Sequence, residues 1–171
     1  MFRRVLVTLD GSSFSEAVLP EAARLLRGTE AEVHLLTVAE EPKATAAYSE
    51  KEPLTAGVPA PGGVVRMKAA PTVETKAQAI GRITDELREF LIAQAVPFER
   101  VGIRYHTAVR FGDPAEEILR YAEKEDVDLI MMATHGHTGF ARLVFGSVAS
   151  RVVSSGVCPV LLVRPDGLKH D

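Results

Sequence analysis

Residues 133–147 read Ala133-Thr134-His135-Gly136-His137-Thr138-Gly139-Phe140-Ala141-Arg142-Leu143-Val144-Phe145-Gly146-Ser147. Two small-residue turns are separated by a short apolar stretch, and the second turn opens a predicted helix. A glycine lets backbone amides approach an anion such as a phosphate closely. A helix start leaves amides unpaired and carries about half a positive charge. The Ser147 hydroxyl adds one more donor. Such a helix end stabilises an anion by ~0.3–1 kcal/mol, or about 2 kcal/mol when partly buried. A micromolar ligand needs roughly 8 kcal/mol. The helix end alone is too weak, so other parts of a ligand, such as a base and a sugar, must be held elsewhere. Plain turns use the same glycines, and spacing alone leaves both readings open.

Other residues could take part. Asp10-Gly11 follows a short apolar run and suits either a ligand contact or a strand-end Asx turn. Arg142 suits either a terminal phosphate or a solvated face. His137 titrates near neutrality, so any phosphate contact it makes strengthens as pH falls. His135 and His137 are spaced i, i+2, but no nearby cysteine or carboxylate completes a metal set, and a phosphate-loop role is the better reading. His34 lies within a strand-like run and reads as a hydrogen-bonded sheet histidine. Cys158 reads as a packed residue, since no base stands beside it. Glu40 and Glu41 could face a ligand rim or simply be solvated. Asp126 and Asp128 flank the amino end of a strand, away from the ligand end.

The elements that must position these residues follow from patterning. Val5–Leu9 is an apolar run that reads as a buried strand. Ser13-Phe14-Ser15-Glu16 has capping-box spacing, so a helix is expected to about Arg27, bent at Pro20 and stopped by Gly28. Glu32–Ala39 is the second strand. Residues 43–71 hold Pro53, Pro59, Pro61, Pro71, Gly57, Gly62 and Gly63 and lack periodicity. They read as an insertion between the second strand and the next helix, with a short ordered piece at Val64–Lys68; long loops of this kind are functional or disordered. Ile80, Ile83, Leu87, Phe90 and Leu91 repeat at three and four, predicting a helix from about Thr72 to Ala95. Val101 to Val109 alternates as a strand near a sheet edge. Asp113-Pro114-Ala115-Glu116 starts a helix that runs to about Lys124. Val127–Ala133 is nearly all apolar, as in a central strand. A last helix begins at Gly146 or Ser147 and ends at Gly156, followed by a strand at Cys158–Val163 and a frayed tail at residues 169–171.

This β-α-β-α-β-α-β-α-β order predicts an α/β fold with one open, twisted, doubly wound parallel sheet of five strands and helices on both faces. If strands one and four are neighbours, a crevice opens between them at their carboxyl ends, where ligands of such sheets sit. Composition agrees with one domain over residues 1–171: 46% hydrophobic, 25% charged, net charge −3. The balance of charge gives no argument for nucleic acid or an anionic membrane. With one cysteine, no intrachain disulfide forms. No secretory signal and no run of ~18 apolar residues is present, so a cytoplasmic protein is expected.

The segment 133–147 resembles the universal stress protein family. The family pattern is Gly, two residues, Gly, nine residues, Gly, then Ser or Thr; here Gly136, Gly146 and Ser147 match and Ala133 stands at the first glycine. The resemblance extends to Val5–Gly11, Leu36-Thr37-Val38, Gly112-Asp113-Pro114 and Cys158-Pro159-Val160-Leu161-Leu162-Val163. It implies a Rossmann-like sheet of order 3-2-1-4-5 and ATP in the crevice; Mg2+ could accompany ATP through its phosphates. It also implies a role for Asp10 at the ribose and for the Val38 backbone at adenine. Gly136, Gly146 and Ser147 match phosphate-binding positions, Val148 offers an amide, and Met132 and Ala133 line the floor. His137, which stands where the family often has Arg or Lys, Gly139 and Arg142 complete the candidate set. Ala133 is compatible with this if its φ is negative and costly if φ is positive. The resemblance further implies a homodimer through Cys158–Val163, an apolar edge open to pairing, and a regulatory stress role exercised through unidentified protein partners. Residues 43–71, leaving beside the adenine position, are a candidate lid or partner-contact segment. Two alternatives stand beside this. One is a dimeric interaction module without nucleotide, its pocket closed by Ala133. The other is a nucleotide-hydrolysing or adenylate-transferring enzyme; no base in the loop and no P-loop lysine supports it, so at most slow hydrolysis is expected.

Overall fold

A computed structural model describes residues 2–42, 75–134 and 146–164. The expected insertion at 43–71, its piece at Val64–Lys68 and the tail at 169–171 lie outside the described residues, as do His135, Gly136, His137, Gly139 and Arg142.

Five strands form one parallel sheet: β1 (Arg4–Thr8), β2 (Glu32–Ala39), β3 (Arg104–Phe111), β4 (Leu129–Ala133) and β5 (Val160–Val163). Its order is β3-β2-β1-β4-β5, as expected, so the winding reverses between β1 and β4. Val5, Leu6 and Val7 stand opposite Leu129, Ile130 and Met131. Every residue of β4 is buried, which its unbroken apolar sequence requires of a central strand.

Among the described residues six helices cover the sheet: α1 (Ser13–Glu16), α2 (Val18–Leu26), α3 (Lys76–Gln94), α4 (Val96–Glu99), α5 (Pro114–Lys124) and α6 (Ser147–Ser155). Strand alternation divides the core in two. Val5, Val7, Val33, Leu35 and Met131 face α2, α3 and α4, where Val18, Leu26, Leu91 and Phe98 close the layer. Leu6, Leu36, Ile130 and Met132 face α5 and α6, where Ile118, Tyr121, Ala149 and Val152 close the other.

Several boundaries differ from the sequence reading. The first helix is two helices, not one bent helix, broken at Ala17. Pro20 has no N–H for the Glu16 carbonyl and its ring crowds that oxygen, so the break falls one turn ahead of the proline. The cap is Ser12 rather than Ser13: its Oγ accepts from the Ser15 amide at 3.2 Å. The third helix starts at Lys76 rather than Thr72, because Thr75 and Gln78 form a reciprocal capping box. The short α4 was not anticipated. It draws Val101 and Ile103 into its closing turn, where both amides donate to the Phe98 carbonyl, so β3 starts only at Arg104. Asp128 accepts from the amides of Arg3 and Arg4, which delays β4 to Leu129. Pro159 cannot donate, and the β5 ladder begins after it. In contrast β2 and α5 coincide with their expected spans, and Gly156 ends α6 at φ +67°.

Candidate functional site

The crevice expected from the strand order is a cavity of about 460 Å³ between the carboxyl ends of β1, β2 and β4 and the start of α6. Asp10, Val38, Met132, Ala133, Gly146, Ser147 and Val148 all line it. The other four candidates, Gly136, His137, Gly139 and Arg142, lie outside the described residues.

Each wall has a local cause. After β1 the chain turns sharply at Gly11, whose φ of +79° suits glycine. Asp10 Oδ1 accepts from the Ser12 amide at 2.9 Å and from Ser12 Oγ at 2.6 Å. The Asx turn is therefore real, and it holds Asp10 at the rim of the cavity. Ser15 Oγ accepts from the Asp10 amide at 3.2 Å and donates to the Ser12 carbonyl at 2.8 Å, tying the loop back onto α1. On β2, Leu36 and Val38 are two residues apart and share one face, giving an apolar wall. Met132 and Ala133 end β4 and are both buried.

Ala133 resolves the question posed by the missing glycine. Among the described residues the one non-glycine with positive φ is Asp126. Ala133 thus sits in a region that L-residues adopt freely, and its methyl carries no backbone strain.

The polar end of the cavity is the start of α6. Gly146 is its N-cap, at φ −57° and ψ 157°, and brings no side chain to occupy the amides of the first turn. Those of Ser147 and Val148 have no intrahelical acceptor in any α-helix. The exposed Ser147 hydroxyl stands beside them and performs no capping of its own helix. The cavity therefore joins an apolar slot to a cluster of donors, with one carboxylate, Asp10, at its edge among the described lining residues.

A brace holds α6 against α5. Arg151 Nη1 donates to both carboxylate oxygens of Asp113, at 2.9 and 2.8 Å. Asp113 also caps α5, accepting from the Glu116 amide at 3.0 Å. That amide first, and Arg151 second, hold the Asp113 carboxyl below the ordinary aspartate range. Pro114 and Ile118, one turn apart on α5, reach the cavity wall.

The sequence reading missed Thr8, Leu9, Ser15, Leu36, Pro114, Ile118 and Ala149 as lining residues. Leu36 was within reach, since it shares a strand face with Val38. Pro114 and Ile118 belong to an element whose position over the crevice no local pattern states. Glu40 and Glu41 do not line the cavity; Glu41 instead accepts from Lys76 Nζ at 2.6 Å. Cys158 is half-buried, and that burial pushes its thiol pKa up, away from nucleophilic use.

A doubly wound parallel sheet with a crevice at its switch point defines a protein of the Rossmann-like α/β class. Comparison with known proteins narrows this. The model of the universal stress protein family matches residues 1–164, and the chain belongs to that family. Universal stress protein MJ0531 of Methanocaldococcus jannaschii is 30% identical over 164 residues, covering 96% of this chain and 83% of its own. The solved structure of protein MJ0577 superposes with a TM-score of 0.69 at 24% identity, covering 98% of this chain and 99% of its own. Two further solved relatives carry nucleotides. An Arabidopsis thaliana family member with AMP bound has a TM-score of 0.58 at 14% identity, covering 96% and 93%. A universal stress protein in complex with cAMP has a TM-score of 0.57 at 16% identity, covering 96% and 98%. Among the described residues no helix is long and apolar enough to cross a membrane.

Proposed function

We propose that this chain is an ATP-binding stress-response regulator, with the nucleotide held in the crevice between β1 and β4. One observation carries the reading. Residues from four separate stretches of sequence, Asp10, Val38, Met132–Ala133 and Gly146–Val148, converge on one cavity of about 460 Å³. That volume lies within the ordinary range for small-ligand sites. The apolar slot of Leu36, Val38, Ile118 and Met132 suits a base, Asp10 suits the ribose hydroxyls, and the donors at the start of α6 suit phosphate oxygens. Gly136, His137, Gly139 and Arg142 belong to the same proposal through the family pattern. Mg2+ would arrive with the phosphates, which supply most of its ligands. The AMP and cAMP carried by two solved relatives support a nucleotide as the ligand class.

Binding, rather than turnover, is the activity proposed. Hydrolysis would need a positioned base and charge neutralisation at the γ-phosphate, and the sequence of the loop after β4 offers no evident base and no P-loop lysine. The chain acts in the cytoplasm as a homodimer whose nucleotide state alters a surface read by partner proteins. The dimer is supported by β5, which ends the sheet with Leu161 39% exposed.

The test is direct. The purified protein is denatured and the released small molecules are identified by mass spectrometry, and ATP is titrated calorimetrically into nucleotide-free protein. Adenine nucleotide in the released fraction, or saturable ATP binding, is expected. No released nucleotide together with no binding at millimolar ATP refutes the reading and leaves the dimeric interaction module.

A further inference from the structure

At the opposite end of β2 from the crevice, on the same face of the strand, lie Glu32 and His34. The parallel register sets His106 of the edge strand β3 directly beside His34. One carboxylate oxygen of Glu32 and one ring nitrogen of each histidine all lie within 4.8 Å of one another. The three side chains line a second cavity of about 410 Å³, separate from the crevice. The two imidazole rings are 5.1 Å apart.

His34 is only half satisfied, contrary to the sequence reading. Its Nδ1 is 2.8 Å from the Tyr121 hydroxyl, but its Nε2 is buried and, among the described residues, is the one buried side-chain N or O atom without a hydrogen-bond partner. The residue as a whole is 7% exposed. Either tautomer leaves a buried polar atom unpaired, which native structures rarely tolerate without a role. With Nδ1–H donating to Tyr121, Nε2 presents a lone pair, and a cation would be its natural partner. An imidazole oriented through its second nitrogen is the usual arrangement at metal sites. Burial, and secondarily the neighbouring His106, lower the His34 pKa and favour this neutral, ligating form.

Glu32 is prepared in the same way. Arg104 Nη2 lies 3.2 Å from Oε1, while Oε2 faces His106 Nε2 at 4.0 Å. Arg104 thus occupies one oxygen of Glu32 and leaves Oε2, while the other cations around this cavity have partners of their own, Arg88 lying 3.7 Å from Asp85. Arg4 donates to the Glu125 carbonyl at 2.8 Å, and Arg110 lies 5.1 Å above the Tyr121 ring while donating to the Val109 carbonyl.

We propose that Glu32, His34 and His106 form a binding site for a divalent transition metal of the zinc class, with a fourth position open to solvent. Two imidazoles and a carboxylate are a donor set that zinc accepts, with bonds of about 2.0–2.2 Å. Tetrahedral ligation needs donor atoms roughly 3.3 Å apart, so the set must close by at most about 1.5 Å. The two less buried members have room for it: the His106 side chain is 57% exposed and that of Glu32 27%. Buried His34 is the fixed point.

The experiment uses the full chain, stripped with chelator and then dialysed. Zn2+ is titrated calorimetrically into the wild type, His106→Ala, Glu32→Gln and a His135→Ala/His137→Ala double variant. Co2+ serves as a spectroscopic substitute. The expected result is one equivalent of Zn2+ bound in the micromolar range or tighter and visible Co2+ absorption bands. Both should weaken at least tenfold in His106→Ala and Glu32→Gln and stay unchanged in the double variant. Thermal melts check that each variant is folded, and Glu32→Gln serves if His106→Ala is not. Absence of micromolar binding, binding unaffected by either substitution, or binding lost in the double variant overturns the proposal.

Discussion

Ser147→Ala isolates the phosphate end of the crevice from the rest of the site. Ser147 is the first residue of α6, it is exposed, and the N-cap position is Gly146. Its hydroxyl therefore contributes nothing to capping, and alanine is the better helix former. Stability should stay within about 0.5 kcal/mol of the wild type, as for other surface substitutions. Binding is different. A hydrogen bond to a charged phosphate contributes about 1.5–3 kcal/mol. At about 1.4 kcal/mol per decade, its loss weakens ATP roughly 10- to 100-fold. Adenosine lacks the phosphates and should bind both proteins equally. Calorimetric titration of ATP and of adenosine into wild type and variant, with thermal melts in parallel, reads all three quantities. Equal ATP affinity in a folded variant would remove the α6 terminus from the site. Parallel weakening of ATP and adenosine would show that the hydroxyl acts on the cavity as a whole, which also refutes the argument.

Three other outcomes follow from the geometry. Ala133→Gly restores the family glycine, yet Ala133 is not in the left-handed region. The variant should bind ATP within about twofold of wild type and lose about 0.5–1 kcal/mol of stability in urea unfolding, the usual effect of glycine in a strand. Asp113 is held below its ordinary pKa by the Glu116 amide and then Arg151. A depressed folded pKa stabilises the fold above the unfolded value and loses that contribution as pH falls through the folded one. The melting temperature should thus drop on the acid side of about pH 4, and Asp113→Asn should flatten that limb; an identical acid limb in the variant would contradict the brace. Leu161→Lys puts a charge on the exposed edge of β5, and sedimentation should then report a monomer where the wild type is a dimer. A wild type that sediments as a monomer would refute the β5 interface.

Some of this was legible from local pattern because its physics is local. Asp113 and Pro114 set the start of α5 through capping chemistry that needs no tertiary partner. Gly156 ends α6 for the same kind of reason, since a left-handed residue suits glycine. Pro20 was placed correctly as a disturbance, but whether it bends or breaks a helix depends on packing, and the chain chose the break at Ala17. The short α4 escaped because four residues leave no period to detect. Among the site residues, Asp10, Val38, Met132, Ala133, Gly146, Ser147 and Val148 were named from sequence and share one cavity. Pro114 and Ile118 were not, because α5 reaches the crevice only after a right-handed crossover folds it over the sheet.

The sequence by itself determined the alternation of five strands with helices, the cap of α5, the stop of α6, the apolar faces and the family. Those are properties of residues a few positions apart, governed by helix and strand periods and backbone sterics. Tertiary structure alone decided two things. One is that Ala133 has φ outside the left-handed region, a matter of how β4 ends rather than of which residue ends it. The other is that His34 and His106, 72 positions apart in the chain, become neighbours by parallel register with Glu32 beside them. No spacing rule connects two strands with 64 residues and two helices between them. Only the sheet, by pairing β2 with β3 in one register, converts two unremarkable histidines and a glutamate into a single cluster.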